Sequence, residues 1–502
     1  MKAFEIVDRL EYEYINGNRE ATITGIATDN RRVNAGCAFI CIKGARFDTH
    51  SVFKQIVEAG AALIVVSSEW AVENRGTISQ AGDTMVIAVE DTRLAKACIA
   101  AAWYGHPADK LITVGITGSK GKTTTTHMLS DMISAAGFRV GTIGTNGAII
   151  GDEIHELNNT TPDSEELQMY LAKMVEAGCK YAVIECSSQG LMQHRVSGFT
   201  FDYGIFTNIA EGDHVGPNEH ASFEDYLYCK SILIRNSRVG VVNCDDAHVR
   251  ELLEGVKTPV LFYGEDGNRH GYEPDYLAVN IGKTFEDREP GTTFSCVGAL
   301  TGDYNINLPG EFNVGNAMAA LIVADKLGIK DEAVKYALTH LHIKGRIDMI
   351  YRGPKLSVCV DFAHNGYSTK NLLIALREYR PRRLVCVFGA DGNRAISRRT
   401  LMGEASAKFA DLSIVTSGHN RWETFEQIFK DIKVGLMRGT GQYIVIPDRK
   451  EAIRYAIENA KEGDLITIIG LGHETYQEAM GVKMPYSDTE YTLSVLKEFG
   501  YI

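Results

Sequence analysis

Leu111 to Thr126 reads LITVGITGSKGKTTTT, and this stretch decides the fold. Leu111 to Thr117 is an apolar, β-prone run. Gly118-Ser119-Lys120-Gly121-Lys122-Thr123-Thr124 follows as a glycine-rich turn that opens into a helix. The helix is marked by apolar Leu129, Met132, Ile133 and Ala136 at i, i+3, i+4, i+7. Strand, glycine turn and helix in that order form the context of a phosphate-binding loop. Glycines let backbone N–H groups approach phosphate oxygens, and the helix N-terminus adds partial positive charge. Lys122 is then expected to reach the terminal phosphates and Thr123 to place its hydroxyl on Mg²⁺. The general G-x-x-x-x-G-K spacing needs glycine at 116, where Ile116 stands. The shorter form T-G-x-x-G-K-T is present instead. A glycine turn that binds nothing is the bland alternative.

Working outward, RVGTIGT (139–145) reads as the next strand, so the region alternates β and α, as a mostly parallel sheet covered by helices does. Upstream, residues 1–106 hold β-type runs CAFICIK (37–43) and AALIVVSS (61–68). They close on the Ala-rich helical segment DTRLAKACIAAAWYG (91–105). Downstream of about 343, strand candidates KLSVCVDF, RLVCVFGA, LSIVTS, QYIVIP and DLITIIG alternate with helical stretches such as EAIRYAIENAKEG. That pattern predicts a smaller α/β domain with Rossmann-like winding. The reading is an α/β protein of three domains, 1–106, 107–342 and 343–502. It agrees with 502 residues at about 100–200 per domain.

Charge narrows the function classes. Lys+Arg 52 against Asp+Glu 64 leaves −12, a poor balance for nonspecific nucleic-acid or anionic-lipid binding. A local basic pocket for a phosphorylated small molecule stays open. No apolar run approaches the roughly 20 residues of a membrane span, and the first residues, MKAFEIVDRLEYEY, interrupt any apolar stretch with acids. The expected location is the cytoplasm. The ten cysteines are scattered without a CxxC pair, which fits buried free thiols in a reducing compartment.

Further along, Tyr181-Ala182-Val183-Ile184-Glu185 is a buried-strand pattern that ends in a carboxylate, followed by Ser187 and Ser188. A strand-end carboxylate beside a phosphate loop suits an oxygen-seeking Mg²⁺. Asp213-His214 follows the strand-like Tyr203 to Asn208. Lys230, in YLYCK, is anonymous on its own residues, no different from a solvated lysine.

Read together, these residues resemble the Mur ligases, the ATP-dependent enzymes that add amino acids to the peptidoglycan precursor, and most of all their MurE branch. The resemblance runs in order along almost the whole chain. It includes Thr28-Asp29-Asn30-Arg31, Gly44, Asp48-Thr49-His50, the phosphate loop, Asn159-Thr160-Thr161-Pro162 and Glu185-Cys186-Ser187-Ser188. It continues through Gln193-His194-Arg195, Phe206-Thr207-Asn208, Asp213-His214 and Phe312-Asn313-Val314-Gly315-Asn316. Gly345-Arg346, Asp361-Phe362-Ala363-His364 and Gly472-His473-Glu474-Thr475-Tyr476 complete it. It implies a UDP-binding N-terminal domain, a central ATPase and a C-terminal domain for the incoming amino acid. It also implies site residues. Gly118 to Thr124 would hold ATP, with Asn313 and Asn316 at the adenine, Arg346 beside the nucleotide and Asp361 at the ribose. Asn30 and the loop from Gly44 to Arg46 would meet the uridine nucleotide. Asn159, Thr160, Thr161, Ser187, Gln193 and Arg195 would hold the muramoyl peptide. Thr123, Glu185, His214 and Lys230 would serve Mg²⁺, Lys230 as a carbamate (N6-carboxylysine). An ammonium beside Mg²⁺ repels it, whereas a carbamate offers two anionic oxygens.

The departures concentrate where the amino acid is expected. Thr416-Ser417-Gly418-His419-Asn420-Arg421 stands in place of a D-N-P-R signature and keeps only Arg421, although Arg399, Gly470 and Glu474 are retained. Leu471 replaces a lysine, Gln189 replaces a histidine and Cys186 an apolar residue. The implied activity is ADP-forming addition of a third amino acid to UDP-N-acetylmuramoyl-L-Ala-D-Glu through an acyl phosphate. The amino acid is expected to be a diamino acid, with meso-diaminopimelate favoured over L-lysine. The process served is cell-wall synthesis, and with it cell shape and division, and the expected state is a monomer. Three alternatives remain at this point: a paralogue taking another amino acid, one with a non-cell-wall acceptor, and a ligand-binding regulator without turnover.

Overall fold

The protein is described here as a computed structural model covering residues 1–44, 47–211, 215–216, 219–265, 270–286 and 289–502. It forms two compact units, residues 1–275 with 319–330, and residues 276–318 with 331–502.

The first unit contains two sheets. Strands Glu13–Asn16, Met85–Val89, Leu63–Ser67, Cys37–Ile40 and Gly25–Ala27 lie side by side in that order. The first is antiparallel and the others parallel. CAFI and MVIAV are buried at every position because helices cover both faces, as parallel sheets require. Alternate residues serve opposite cores. Ile40, Val65 and Ile87 pack with Ile6 and Ile99, whereas Phe39, Val66 and Val86 pack with Phe53 and Ile78. The closing helix Thr92–Trp103 starts where the Asp91 carboxylate accepts the N–H groups of Arg93 and Leu94 at 2.7 and 3.1 Å.

The second sheet of this unit runs Val260–Glu265, Ser237–Asn243, Phe201–Phe206, Ile112–Thr117, Tyr181–Glu185, Val140–Gly144, Gly147–Ile150 and Glu153–His155. The first six are parallel and the last two turn back as antiparallel strands. The strand that feeds the glycine loop is central. Its neighbours pair Glu185 with Ile116 and Phe206 with Thr117. Both neighbouring strands therefore end beside the loop, at the carboxyl edge where open α/β sheets bind ligands.

The second unit opens with an antiparallel meander, Tyr276–Glu286, Glu289–Gly298 and Gly302–Ile306. Its larger sheet runs Asp348–Arg352, Leu356–Asp361, Asp464–Ile469, Arg383–Phe388, Leu412–Val415 and Gln442–Val445. Only the first of these strands is antiparallel. Apolar cores line both faces, around Leu373, Phe388 and Ile432 on one and Val358, Val385 and Ile453 on the other. A small hairpin, Tyr476–Ala479 with Val482–Pro485, stands apart. The ten cysteines are all free, and nine are buried. No described helix is long and apolar enough to cross a membrane.

Candidate active site

The glycine turn is set by its neighbours. Gly118 has φ +153° and Gly121 φ +87°. A Cβ on Gly118 would lie 1.9 Å from Thr207 Oγ1, so only glycine permits that approach. Ser119 N donates to Asn208 O at 2.8 Å and Lys120 N to Asn208 Oδ1 at 2.9 Å. The Thr207 hydroxyl donates to Lys120 O at 2.6 Å. The Ser119 and Tyr226 hydroxyls share a hydrogen bond of 2.7 Å. Helix Lys122–Ala135 begins directly after the turn, so its first N–H groups are oriented for an anion. Lys122 Nζ lies 2.8 Å from Gly118 O, folded over the loop.

Glu185 is buried at the end of its strand. The Thr123 hydroxyl donates to Oε2 at 3.0 Å. Thr145 binds the same carboxylate twice, through its N–H at 2.9 Å and its hydroxyl at 3.0 Å. A Cβ on Gly144 would come within 2.2 Å of Oε1, so the neighbouring strand also has to be bare there. A hydroxyl and a carboxylate at the first turn of the loop helix are hard oxygen donors, the set Mg²⁺ prefers. By this donor chemistry the residues fit the metal.

From Glu185 the polar contacts spread to the residues assigned to the peptide substrate. The Thr160 and Thr145 hydroxyls are 3.3 Å apart. The Thr161 hydroxyl donates to Glu185 O at 2.8 Å and accepts Ser187 N–H at 2.9 Å. Arg195 donates to Thr161 O at 2.8 Å and to Gln193 Oε1 at 2.9 Å. The structure thus brings Thr160, Thr161, Ser187, Gln193 and Arg195 together, with Asn159 exposed on the adjoining loop. Asn30 is half-buried in a short 3-10 turn capped by Asp29, and Gly44 is exposed, its N–H on Phe47 O. Asp48-Thr49-His50 braces the base of that loop, with His50 bonded to Asp48 at 2.6 Å and to Ser67 N at 3.0 Å. Arg46, Asp213 and His214 lie outside the described residues.

Lys230 is buried on helix Phe223–Arg235, its Nζ 4.5 Å from the ring centre of Tyr226 one turn earlier. Tyr226 therefore touches both the lysine and the phosphate loop, a connection that residue-by-residue reading missed. The i, i+4 spacing to Lys230 was its one signal.

In the second unit, Asn313 donates to Pro309 O at 3.0 Å and Asn316 to Asn313 Oδ1 at 3.3 Å. Asp361 accepts the N–H groups of Ile347 and Ala363 at 2.8 and 2.7 Å. Burial pushes its carboxyl up, against the pull of Arg346. Arg346 lies over the Phe362 ring at 5.1 Å. Glu474 meets His419 Nε2 at 2.7 Å, while His419 Nδ1 accepts Glu478 N–H at 3.0 Å. His419 is therefore the Nε2–H tautomer and orients Glu474. Arg421 (φ +51°) is 3.3 Å from Asp391 and 3.9 Å from Glu478. Gly470 has φ +112° and its N–H donates to Asp361 O at 3.3 Å. Arg399 is buried between Glu423 at 2.6 Å and Asp431 at 2.9 Å. His419 and Asp391 were missed because their partners lie 30 to 59 residues away in sequence.

Family models match three successive stretches. These are "Mur ligase family, catalytic domain" at residues 22–104, "Mur ligase middle domain" at 116–324 and "Mur ligase, glutamate ligase domain" at 345–472. A UDP-N-acetylmuramoyl-L-alanyl-D-glutamate--2,6-diaminopimelate ligase of Caldanaerobacter subterraneus subsp. tengcongensis is 36% identical over 500 residues, 99% of each chain. Ligase 1 of the same name from Clostridium acetobutylicum is 35% identical and covers 99% of this chain and 100% of its own. A solved structure of a ligase of that name aligns over 99% of both chains with TM-score 0.67 at 28% identity.

Proposed function

Since this chain belongs to the Mur ligase family, we propose that it extends UDP-N-acetylmuramoyl-L-alanyl-D-glutamate by one diamino acid, spending ATP to ADP. Meso-diaminopimelate is the favoured amino acid, supported by the printed names of the full-length relatives. The carrying observation is the Thr123–Glu185 pair at 3.0 Å on a preset phosphate loop, wired through Thr161 to Arg195. The proposal includes the domain division 1–106, 107–342 and 343–502, a cytoplasmic location and a monomer.

Carboxylates do not condense with amines in water, because hydroxide is a poor leaving group. Transfer of the γ-phosphoryl group to the peptide carboxylate makes an acyl phosphate and releases ADP. The amine nitrogen then adds to the carbonyl carbon, the tetrahedral adduct expels phosphate, and the ammonium proton is lost to a base. The protein contributes position and charge. The Lys122 ammonium leaves its loop carbonyl for the transferring group, and the loop N–H groups take the non-bridging oxygens. Thr123 and Glu185 would hold Mg²⁺, with His214 and carbamylated Lys230 as further ligands, and the ion would supply neutralisation of phosphate charge there. Arg195, Thr160 and Thr161 orient the acceptor. Asp391, His419, Arg421 and Glu474 face the amino acid.

Phosphate release should require both the muramoyl dipeptide and a diamino acid, measured across a panel of amino acids. Lys122→Ala should lower turnover by about 10²–10³-fold with an unchanged circular dichroism spectrum. Release with neither substrate, or a Lys122→Ala enzyme near full rate, overturns the reading.

A further inference from the structure

We propose that His220, Asp225 and Cys229 form a binding site for a zinc-class divalent cation, distinct in donor chemistry from the oxygen-rich magnesium site. A ring nitrogen of His220, a carboxylate oxygen of Asp225 and Cys229 Sγ all lie within 4.8 Å of one another. Asp225 and Cys229 stand one turn apart on helix Phe223–Arg235, and His220 comes from the segment just before its Ser222 cap. An i, i+4 pair on a helix plus a third ligand from the approaching loop is a chelating arrangement.

The separations suit a tetrahedral ion after small side-chain rotations. Asp225 divides its two oxygens, Oδ2 at 2.9 Å from His220 Nδ1 and Oδ1 at 3.7 Å from Cys229 Sγ. Zinc bonds of about 2.0–2.3 Å place neighbouring ligand atoms roughly 3.3–3.7 Å apart. Nitrogen, thiolate and carboxylate together select zinc over magnesium, which takes oxygen alone.

The imidazole supplies the second argument. His220 is fully buried, and its Nε2 is 2.8 Å from Ser188 Oγ. A neutral imidazole carries one N–H. Without the ion, Nδ1–H donates to Asp225 Oδ2 at 2.9 Å and the Ser188 hydroxyl donates to Nε2; on metal binding the proton sits on Nε2, which donates to Ser188 and leaves the Nδ1 lone pair for the ion. A metal-bound histidine characteristically anchors its other nitrogen this way. Asp225 keeps part of its surface in solvent, which gives an ion an entry path. Cys229 precedes Lys230, and a filled site would pin the helix that carries the lysine.

The test uses metal alone, without nucleotide or substrate, so it stands apart from the ligase reading. Chelator-stripped protein is titrated with zinc against a chromophoric competitor, and separately with cobalt(II). One tight equivalent of zinc and a thiolate-to-cobalt charge-transfer band are expected. Cys229→Ser should abolish the band, and Asp225→Asn should weaken zinc by roughly tenfold or more. Cys386→Ser, in the other unit, should change neither. No stoichiometric zinc, or a band that survives in folded Cys229→Ser, overturns the site in favour of a hydrogen-bonded triad. Should Cys229→Ser misfold by circular dichroism, an unweakened Asp225→Asn has the same force.

Discussion

Lys230 sits buried against the Tyr226 ring, where an ammonium gains a cation–π contact. The proposed carbamylation would trade that contact for metal ligation. Lys230→Ala should therefore lose about 10²–10³-fold in turnover, and millimolar formate or acetate should restore part of it by entering the vacated space and supplying the anion. Full activity without added acid would remove the carbamate from the account. Asp131, on the loop helix, shows the reverse situation of a charge with too little compensation. Burial lifts its carboxyl to about 6. In the unfolded chain it ionises near pH 4. Its contribution to the fold is thus best below pH 4, declines as pH rises from about 4 to 6, and stays unfavourable above. Asp131 retains some exposure, which reduces the full cost. Asp131→Asn should stabilise the protein by about 1–2 kcal/mol at pH 8 and by nothing at pH 4, read from thermal melts at the two values. The grouping of Lys122, Thr123 and Glu185 was legible in the sequence because each stands at the end of a recognisable strand or the start of the loop helix. Tyr226 was not, because its hydroxyl partner lies 107 residues away, and no local pattern encodes that pairing.

Elements were legible in proportion to their burial. The runs RLVCVF, DLITII and LIVVS are strands where sequence placed them, since a strand covered on both faces must be apolar throughout. The hairpin Tyr476–Ala479 with Val482–Pro485 escaped notice. It is short and half in solvent, so it has no apolar period. Its turn, Met480-Gly481, has φ +49° and +73°, the left-handed pair of a type I′ turn. Glu478 N–H on His419 and Gln477 on Gly418 O tie it to the loop that replaces D-N-P-R. A Cβ on Gly481 would meet Trp422 at 2.5 Å. Gly481→Ala should displace this hairpin and raise the KM for the amino acid by about tenfold, with the KM for ATP unchanged. Equal effects on both constants would detach the hairpin from the amino-acid site.

At the scale of the molecule, alternation of β and α predicted α/β domains with mostly parallel sheets, and the three family models and the large sheets agree with that. The grouping of residues 276–318 and 331–342 with the second unit was not legible, because the sequence reading kept them in the domain ending at 342. Helix Phe312–Lys326 is apolar nearly all round, buried from Ala317 to Ala324, and such a helix does not announce which core it joins. Each unit has its own cores, so unfolding should not be two-state. Trp422→Phe leaves Trp70 and Trp103, both in the first unit. Its fluorescence should then give a denaturant midpoint distinct from that of whole-chain circular dichroism, and coincident curves would contradict separate units. The collar that Thr207 and Asn208 place around the glycine turn has a thermodynamic corollary. A cradle rigid before its guest arrives has little disorder left to surrender, so nucleotide capture should run at encounter speed, and discrimination between triphosphate and diphosphate should fall to how fast each one departs.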